Sequence, residues 1–324
     1  MRSSLPFFKI FPPPKFILMP HAGLDISDDG IHFVAYTGVG DNRRIQAFDA
    51  LEFPPGLFAD GDSQNDPEFI RLMAEFAKKN GIHDVKVSVP EEKAYLFQTD
   101  VPTTVERDVE HNIEFKLEEN VPLAAKDAIF YFDLLPKSVT GGTVRASVSV
   151  VPRSYIERCT KLLVAAGLEP VSFEIAPKAI ARAIVHETSE TARIIIHFMK
   201  RKTGIYITSG NVIHFTFTAP WGTESTEHGL PREELGKEVA RIRSYWLSHG
   251  NGKQINEAML VGRGADTFDQ ELQKIGGDMP LSLVIPNIWE NALDLEAALP
   301  PISRSDSLEY AVAAGLAFDT PGRS

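Results

Sequence analysis

The sequence predicts an α/β fold with two lobes, a duplicated core, and a small α+β unit inserted into the first lobe. Three observations predict it. A three-strand meander pattern at 16–48 returns at 193–218, helical segments follow each copy, and a separate β-α-β-β-α pattern lies between them. A chain of 324 residues with 43% hydrophobic content is large enough to bury the cores of two lobes.

The first meander opens with Gly23-Leu24-Asp25-Ile26, which predicts a buried strand that ends in a turn carrying a carboxylate. Its other strands are expected at 31–36 and 45–48, because turn-forming residues separate these apolar runs. The segment 67–79 is predicted to be a helix, since its apolar residues recur at the i, i+3, i+4 and i+7 spacing. Strict alternation predicts a strand at 85–89.

The inserted unit contains a strongly patterned helix, predicted at 105–120. Its apolar residues Val109, Ile113 and Leu117 recur every four residues, and the opposite face is rich in acidic residues. Strands predicted on either side of the Gly141-Gly142 loop indicate a hairpin. The strands of the unit are expected at 94–98, 128–135 and 144–151, and its second helix at 154–166.

The second lobe repeats the meander, with strands predicted at 193–198, 204–208 and 212–218. A short link at 168–174 and a helix at 177–186 are expected to lead into it. The elements predicted after the meander are a helix at 232–247, a strand at 258–261, a short helix at 267–274 and a final helix at 306–317.

Composition excludes several classes of protein. The net charge of -11 disfavours a nucleic-acid-binding surface, because phosphate contacts need clustered Lys and Arg. The single cysteine, Cys159, excludes internal disulfides and is expected in the core, on the apolar face of its helix. No apolar run is long enough to span a bilayer, and prolines interrupt the apolar arm at 1–15. Motifs of P-loop, nucleophile-elbow, HExxH and CxxC type do not occur.

Three turns form a candidate nucleotide site. In the first, Asp25 is placed to hold a metal ion through its carboxylate, whereas Ser27 stands where glycine is usual. The acids that follow Ser27 would repel a triphosphate. In the second, His197 and Met199 stand where a phosphate-binding turn has Asp and Gly, and their side chains would crowd the backbone N–H groups.

The third turn is Gly262-Arg263-Gly264, which follows a predicted strand. Glycines at this place let a nucleoside lie against the backbone, but a strand-to-helix turn also needs glycine. If nucleotide binds, the binding residues are expected to be Asp25, Ser27, Gly262 and Gly264, with Asp25 holding Mg²⁺.

With these turns in hand, the whole chain resembles PilM, the actin-like protein of the type IV pilus inner-membrane platform, and more distantly the cell-division protein FtsA. The match follows the order of the family over nearly the full length. Besides Gly23–Ile26 and 260–265, it is carried by 113–122 with 130–134, by 155–181 and by 310–317.

The resemblance implies an actin-like, ribonuclease H-like duplicated fold with an inserted subdomain of the type called 1C. The implied division is an N-terminal arm at 1–15, a first lobe at 16–90 and 171–190, the 1C-like subdomain at 91–170, a second lobe at 191–305, and a C-terminal helix and tail at 306–324 that return to the first lobe.

The resemblance also implies a function. Members of the family bind ATP, hydrolyse it weakly or not at all, and act as cytoplasmic scaffolds that capture the short cytoplasmic tail of the membrane protein PilN. Such a tail is expected to dock in a groove near the 1C-like unit, around residues 94–97 and the helix at 105–120. Because Ser27, His197 and Met199 depart from the family pattern, we expect weak or no binding of ATP and Mg²⁺.

The leading interpretation is therefore a scaffold of a pilus or a related type II secretion platform, cytoplasmic and peripheral to the inner membrane. Its partners would be a PilN-like tail and other platform proteins; nucleic acid is excluded and a homo-oligomer is left open. The alternative is an active actin-family ATPase or kinase that binds Mg-ATP between the lobes through Asp25, Gly262 and Gly264. A third interpretation, an FtsA-like filament anchored to a membrane, is disfavoured by the short polar tail at 319–324.

Overall fold

The computed structural model describes residues 21–318 except 39, 59–65, 103–105, 136–141, 226–229, 250–253, 269–280 and 298. The predicted arm at 1–15 and the tail at 319–324 lie outside the described residues. The strands, in chain order, are β1 (Ala22–Ser27), β2 (Gly30–Thr37), β3 (Arg44–Glu52), β4 (Asp84–Val89), β5 (Tyr95–Pro102), β6 (Ala128–Leu134), β7 (Thr143–Pro152), β8 (Glu169–Ile175), β9 (Arg193–Phe198), β10 (Thr203–Ser209), β11 (Val212–Ala219), β12 (Glu257–Gly262) and β13 (Ser282–Val284). The helices are α1 (Asp66–Asn80), α2 (Glu106–Asn120), α3 (Arg153–Ala165), α4 (Ala176–Ile184), α5 (Arg232–His249), α6 (Arg304–Ser307) and α7 (Ala311–Ala317).

Two five-stranded sheets have the same topology. The first has the order β3-β2-β1-β4-β8 and the second β11-β10-β9-β12-β13. In each, the first three strands form an antiparallel meander, and the last two lie parallel to the first strand of that meander. The duplicated core that the repeated meander pattern predicts is therefore confirmed.

The inserted unit is a three-stranded antiparallel sheet in the order β5-β7-β6, covered on one face by α2. Val109, Ile113 and Leu117 are buried against this sheet, as their four-residue spacing predicts. The other face lies toward the second lobe. There Ser147 Oγ donates a hydrogen bond to the carbonyl oxygen of Ile213 at 2.6 Å, and Gln98 Nε2 lies 3.0 Å from His214 Nδ1.

Helix α3 packs with the first lobe, although it follows the inserted strands in the chain. Cys159, Leu162 and Leu163 are buried in one cluster with Phe69 and Met73 of α1. The expectation that Cys159 is a core residue is confirmed. The compact inserted unit thus comprises β5, α2, β6 and β7, and the domain boundaries given above stay a prediction.

Helices α4 and α7 cross at the junction of the two lobes, where small residues let them approach closely. A Cβ added to Gly315 would lie 1.8 Å from the carbonyl oxygen of Ala179, and one added to Gly23 would lie 2.0 Å from that of Ala313. Every residue of α7 is buried, and one hydrophobic cluster contains α4, α7 and the second sheet. The lobes therefore share a core at this junction.

Some elements differ from their predictions. The link expected at 168–174 is strand β8, and β13 was not predicted. The helix expected at 306–317 is divided into α6, a 3₁₀ turn at Leu308–Tyr310, and α7. Of the helix expected at 267–274, the described part is a 3₁₀ turn at Ala265–Phe268, and the rest lies outside the described residues. Within the described part of the chain, no helix is long and apolar enough to cross a membrane.

Candidate functional site: the cleft between the lobes

The turn after β1 and the turn after β9 face each other across a cleft between the lobes. A cavity of about 260 Å³ lies there. Asp25, Ser27 and Gly262, which the sequence singles out, line this cavity together with His197 and Met199. Gly264 lies in the following turn, outside the cavity lining. The topology accounts for this meeting, because the first strands of the two duplicated sheets both end at the cleft.

Asp25 is a buried carboxyl group held by a neighbouring strand. Ser88 Oγ on β4 donates a hydrogen bond to Asp25 Oδ1 at 2.7 Å and accepts one from the backbone N–H of Ile26 at 2.9 Å. Burial raises the pKa of Asp25, and the charge of His32 and the hydrogen bond from Ser88 oppose this rise. A carboxylate oxygen at this position is a suitable ligand for Mg²⁺.

The first turn satisfies its own hydrogen-bonding groups. Ser27 Oγ donates to the carbonyl oxygen of Gly30 at 3.3 Å and accepts from the backbone N–H of Asp29 at 3.3 Å. That N–H group, which a phosphate oxygen would need, is therefore already bonded to the side chain that replaces the usual glycine.

His197 is a buried, neutral residue near the end of β9, just before the second turn. Burial lowers its pKa to about 4, and Tyr206 Oη lies 3.4 Å from its Nδ1. Gly262 packs directly on it: an added Cβ would lie 2.9 Å from His197 Cδ2 and 2.2 Å from the carbonyl oxygen of Phe198. Gly262 also has φ of +90°, so two independent constraints require glycine there.

The backbone donors of the second turn are also occupied. The N–H of Met199 donates to the carbonyl oxygen of Lys202 at 3.1 Å. The N–H of Lys200 donates to Asp29 Oδ2 of the first lobe at 3.0 Å. Arg201 and Lys202 then form ion pairs with Asp29 and Asp28, at 3.0 and 2.6 Å. An acidic turn of one lobe is thus bonded to a basic turn of the other.

Glu91 is a cleft residue that the sequence reasoning did not single out. It is buried at the end of β4, lines the cavity, and accepts a hydrogen bond from Thr218 Oγ1 at 3.0 Å. Desolvation, and then the neighbouring charge of Glu92, raise the pKa of Glu91 to about 7. The available signal was an acid two residues after a buried parallel strand, at the edge of the sheet where sites are commonly built.

The cleft is small in this arrangement, and several of its turn donors are already bonded. Ligand clefts commonly have volumes of roughly 300–1,000 Å³, whereas this cavity measures about 260 Å³. The turn N–H groups of Asp29 and Lys200 are already bonded, and the first of them to a side chain of its own lobe. Among the described residues, no group of three or more His, Cys, Asp or Glu side chains could hold a metal ion.

These features define a bilobed protein of the actin-like fold, with two equivalent sheets, a cleft between them, and a subdomain inserted into the first lobe. No protein-family model matches the chain, and no curated protein matches it in sequence. Comparison with solved structures finds a chain of the PilM-PilN type IV pilus biogenesis complex, with 17% identity and a TM-score of 0.70 over 92% of this chain and 98% of that one.

Two further solved structures match more weakly. The cytoplasmic domain of EpsL, an inner-membrane component of the type II secretion system of Vibrio cholerae, is 11% identical with a TM-score of 0.49, over 90% of this chain and 94% of that one. A protein of Bacteroides thetaiotaomicron with an actin-like ATPase fold is 12% identical with a TM-score of 0.44, over 86% and 93%. The resemblance to a PilM-type actin-like protein is confirmed at the level of the fold.

Proposed function

We propose that this protein is a scaffold of a type IV pilus or related secretion platform on the cytoplasmic side of the inner membrane, and that it binds the short tail of a PilN-like membrane protein. The observation that carries the proposal is the match to a chain of the PilM-PilN complex over 92% of this chain and 98% of that one. Such coverage is too broad to omit the inserted unit or either lobe, and ion pairs of the protein itself bridge the mouth of the cleft between the lobes.

The surface for the tail is proposed on the inserted unit. The ring of Phe115 on α2 is 70% exposed, and the His111 ring packs edge-on against it at 4.6 Å between centroids. An exposed aromatic residue of this size is typical of a binding anchor. The rest of the outer face of α2 is acidic, with exposed glutamates at 110, 114, 118 and 119. A tail with an apolar side chain between basic residues would complement this surface.

The tail proposal is tested by calorimetry with a synthetic peptide of the N-terminal cytoplasmic residues of a PilN-like protein from the same organism. Phe115→Ala should weaken binding about tenfold or more, which is about 1.4 kcal/mol. Leu299→Ala is the matched control, since Leu299 is also an exposed apolar side chain, at 85%, but lies outside the inserted unit in the chain. Equal affinity of the wild type and Phe115→Ala for the peptide would show that α2 is not part of the binding surface. No binding of the peptide by the wild type would contradict the proposed partner.

The nucleotide site is proposed to be degenerate. We expect no competed binding of a fluorescent ATP analogue up to millimolar concentration, with or without Mg²⁺, because the turn N–H groups are bonded within the protein. Restoring the acid and the glycine with His197→Asp and Met199→Gly should leave peptide binding unchanged. A micromolar affinity for Mg-ATP would contradict the proposal of a degenerate site but would leave the proposal of a PilN-like partner unaffected.

The second candidate function is an actin-family ATPase or kinase. The observation that favours it is the pair of buried carboxyl groups at the cleft, Asp25 and Glu91, one suited to a metal ion and one with its pKa raised to about 7. Gly262 and Gly264 would then contact the nucleotide. Tight Mg-ATP binding that is lost in Asp25→Asn would favour this function over the scaffold with a degenerate site.

A further inference from the structure

The mouth of the cleft is bridged by two oppositely charged turns. Asp28 and Asp29 follow β1 in the first lobe, whereas Lys200, Arg201 and Lys202 follow β9 in the second. The two turns are far apart in the chain, with 171 positions between Asp29 and Lys200.

The turn after β9 binds the Asp29 carboxylate in the way that a turn binds an anionic ligand. Its Oδ2 accepts the backbone N–H of Lys200 at 3.0 Å, and its Oδ1 accepts Arg201 Nη2 at 3.0 Å and Nε at 3.2 Å. A carboxylate that accepts a backbone N–H and two N–H groups of one guanidinium has the contacts that an anionic ligand would make. The carboxylate here belongs to the opposite lobe.

The other charges reinforce this contact. Lys202 Nζ lies 2.6 Å from both Asp28 Oδ2 and Glu92 Oε1. Asp28 precedes β2 and Glu92 follows β4, both in the first lobe. Partial burial opposes the charge of Lys202, but the hydrogen bonds to Asp28 and Glu92 outweigh it and raise the pKa of this lysine. The lysine therefore stays charged at any physiological pH.

A second bridge lies beside the first. Glu52 at the end of β3 contacts Lys200 Nζ at 2.8 Å and the Arg263 guanidinium at 2.9 Å. Arg263 also lies 3.4 Å from Glu309, in the segment that returns to the first lobe. The hydrogen bond from Lys200, followed by its charge and that of Arg263, lowers the pKa of Glu52.

We propose that these charged side chains act as a built-in ligand, which holds the two lobes closed in the absence of nucleotide. An isolated exposed ion pair contributes little, but here the cations are shared among several acids and one acid also accepts a backbone N–H group. The protein would then keep the closed arrangement without the ligand that such a cleft usually needs. The proposal concerns the free protein, so it does not rest on the proposed partner.

The test measures the separation of the lobes directly. Spin labels are placed on the exposed faces of α1 and α5 with Lys78→Cys and Ser244→Cys, in a Cys159→Ala background that removes the single native cysteine. Pulsed electron resonance then gives the distance distribution between the lobes without nucleotide. Circular dichroism confirms that each variant is folded.

The opening variant is Asp28→Lys with Asp29→Lys, which sets like charges against the basic turn. We expect a longer and broader distance distribution than that of the wild type, and about tenfold faster hydrogen exchange at the Lys200 amide. Adding Arg201→Glu and Lys202→Glu should shift the distances back toward the wild type, because opposite charges face each other again. Arg71→Glu is the control, since Arg71 pairs only with Glu68 and Glu75 of its own helix among the described ion pairs.

An unchanged distance distribution in the opening variant would overturn the proposal, as would a wild type that is already broad. If the opening variant does not fold, Lys202→Gln removes one charge without adding a repulsive one. Faster exchange of the Lys200 amide in Lys202→Gln would support the proposal, and unchanged exchange would overturn it. Because all measurements are made without nucleotide and peptide, their outcome is independent of the tests of the proposed function.

Discussion

At the scale of single residues, the cleft combines buried ionisable groups with positions that admit only one residue type. Gly262 is a position that admits only glycine, because its φ of +90° and its contact with His197 exclude a Cβ. Sequence alone left Gly262 open between a nucleotide contact and a tight turn. The structure shows the close approach that the turn needs, whereas a role in nucleotide binding stays a prediction for Asp25, Ser27, Gly262 and Gly264.

Glu91 gives a prediction at this scale. Burial raises its pKa from 4.5 to about 7, so the folded protein holds a proton that the unfolded chain releases between these values. Stability should therefore fall as the pH rises from about 4.5 to 7, and Glu91→Gln should remove this loss. At pH 8 we expect Glu91→Gln to be more stable than the wild type by roughly 2–3 kcal/mol, and at pH 4 the difference should vanish.

The measurement is urea unfolding of both proteins at pH 4 and pH 8. Glu110→Gln on the exposed face of α2 is the control for removing a carboxyl group from the surface. A difference between the wild type and Glu91→Gln that is the same at both pH values would show that the carboxyl of Glu91 does not titrate as argued.

At the scale of elements, the sequence predicted the long patterned segments and missed short or irregular ones. Helix α2 and the two meanders were found because their apolar residues repeat at the helix or strand period over several turns or strands. Strand β8 was taken for a link because its residues Glu169–Ile175 lie at a sheet edge with little buried surface and contain Pro170. Strand β13 has only three residues, too few to show a period.

The contact of α4 with α7 gives the prediction for this scale. Gly→Ala within a helix usually stabilises by about 0.5–1 kcal/mol, but a Cβ on Gly315 would lie 1.8 Å from the Ala179 carbonyl oxygen. Gly315→Ala should therefore destabilise the protein by about 3 kcal/mol, because the helices must separate. Gly236→Ala in the second turn of α5 should have the opposite sign. Chemical denaturation measures both, and a stabilising Gly315→Ala would contradict the packing described here.

At the scale of the whole molecule, the fold class followed from the sequence, whereas the contacts that close the cleft did not. The two meanders predict a duplication because each can be recognised from a short, continuous segment of the sequence. The contacts between Asp28–Asp29 and 200–202 join distant parts of the chain; Asp29 and Lys200, for example, are 171 positions apart. In the sequence, a charged turn without a known partner cannot be distinguished from an ordinary solvent-exposed turn. The departures at Ser27, His197 and Met199 were visible in sequence, but the hydrogen bonds and ion pairs that these turns make in the structure were not.

The shared core at the lobe junction predicts that both lobes unfold together. The three tryptophans lie at 221, 246 and 289, in the second half of the chain, whereas the single cysteine, Cys159, is buried in the first lobe. Thiol labelling of Cys159 therefore reports on the first lobe, and tryptophan fluorescence reports mainly on the second, where Trp221 and Trp246 lie. The Trp289 ring also packs edge-on against Tyr36 of the first lobe, at 6.4 Å between centroids. The urea midpoints of the two signals should coincide, because α4 and α7 belong to one cluster with the second sheet. Two separate midpoints would show that each lobe is an independent folding unit.

The contact between the inserted unit and β11 also limits how the molecule can associate. Strand β11 is an outer strand of the second sheet, and an outer strand offers unpaired backbone groups to which another chain can add by β-augmentation. Here Ser147 Oγ caps the carbonyl oxygen of Ile213, and Gln98 covers His214 beside it. The inserted unit thus blocks β-augmentation along this edge, and a neighbour that associates through backbone pairing must use a different strand, such as β3 at the outer edge of the first sheet.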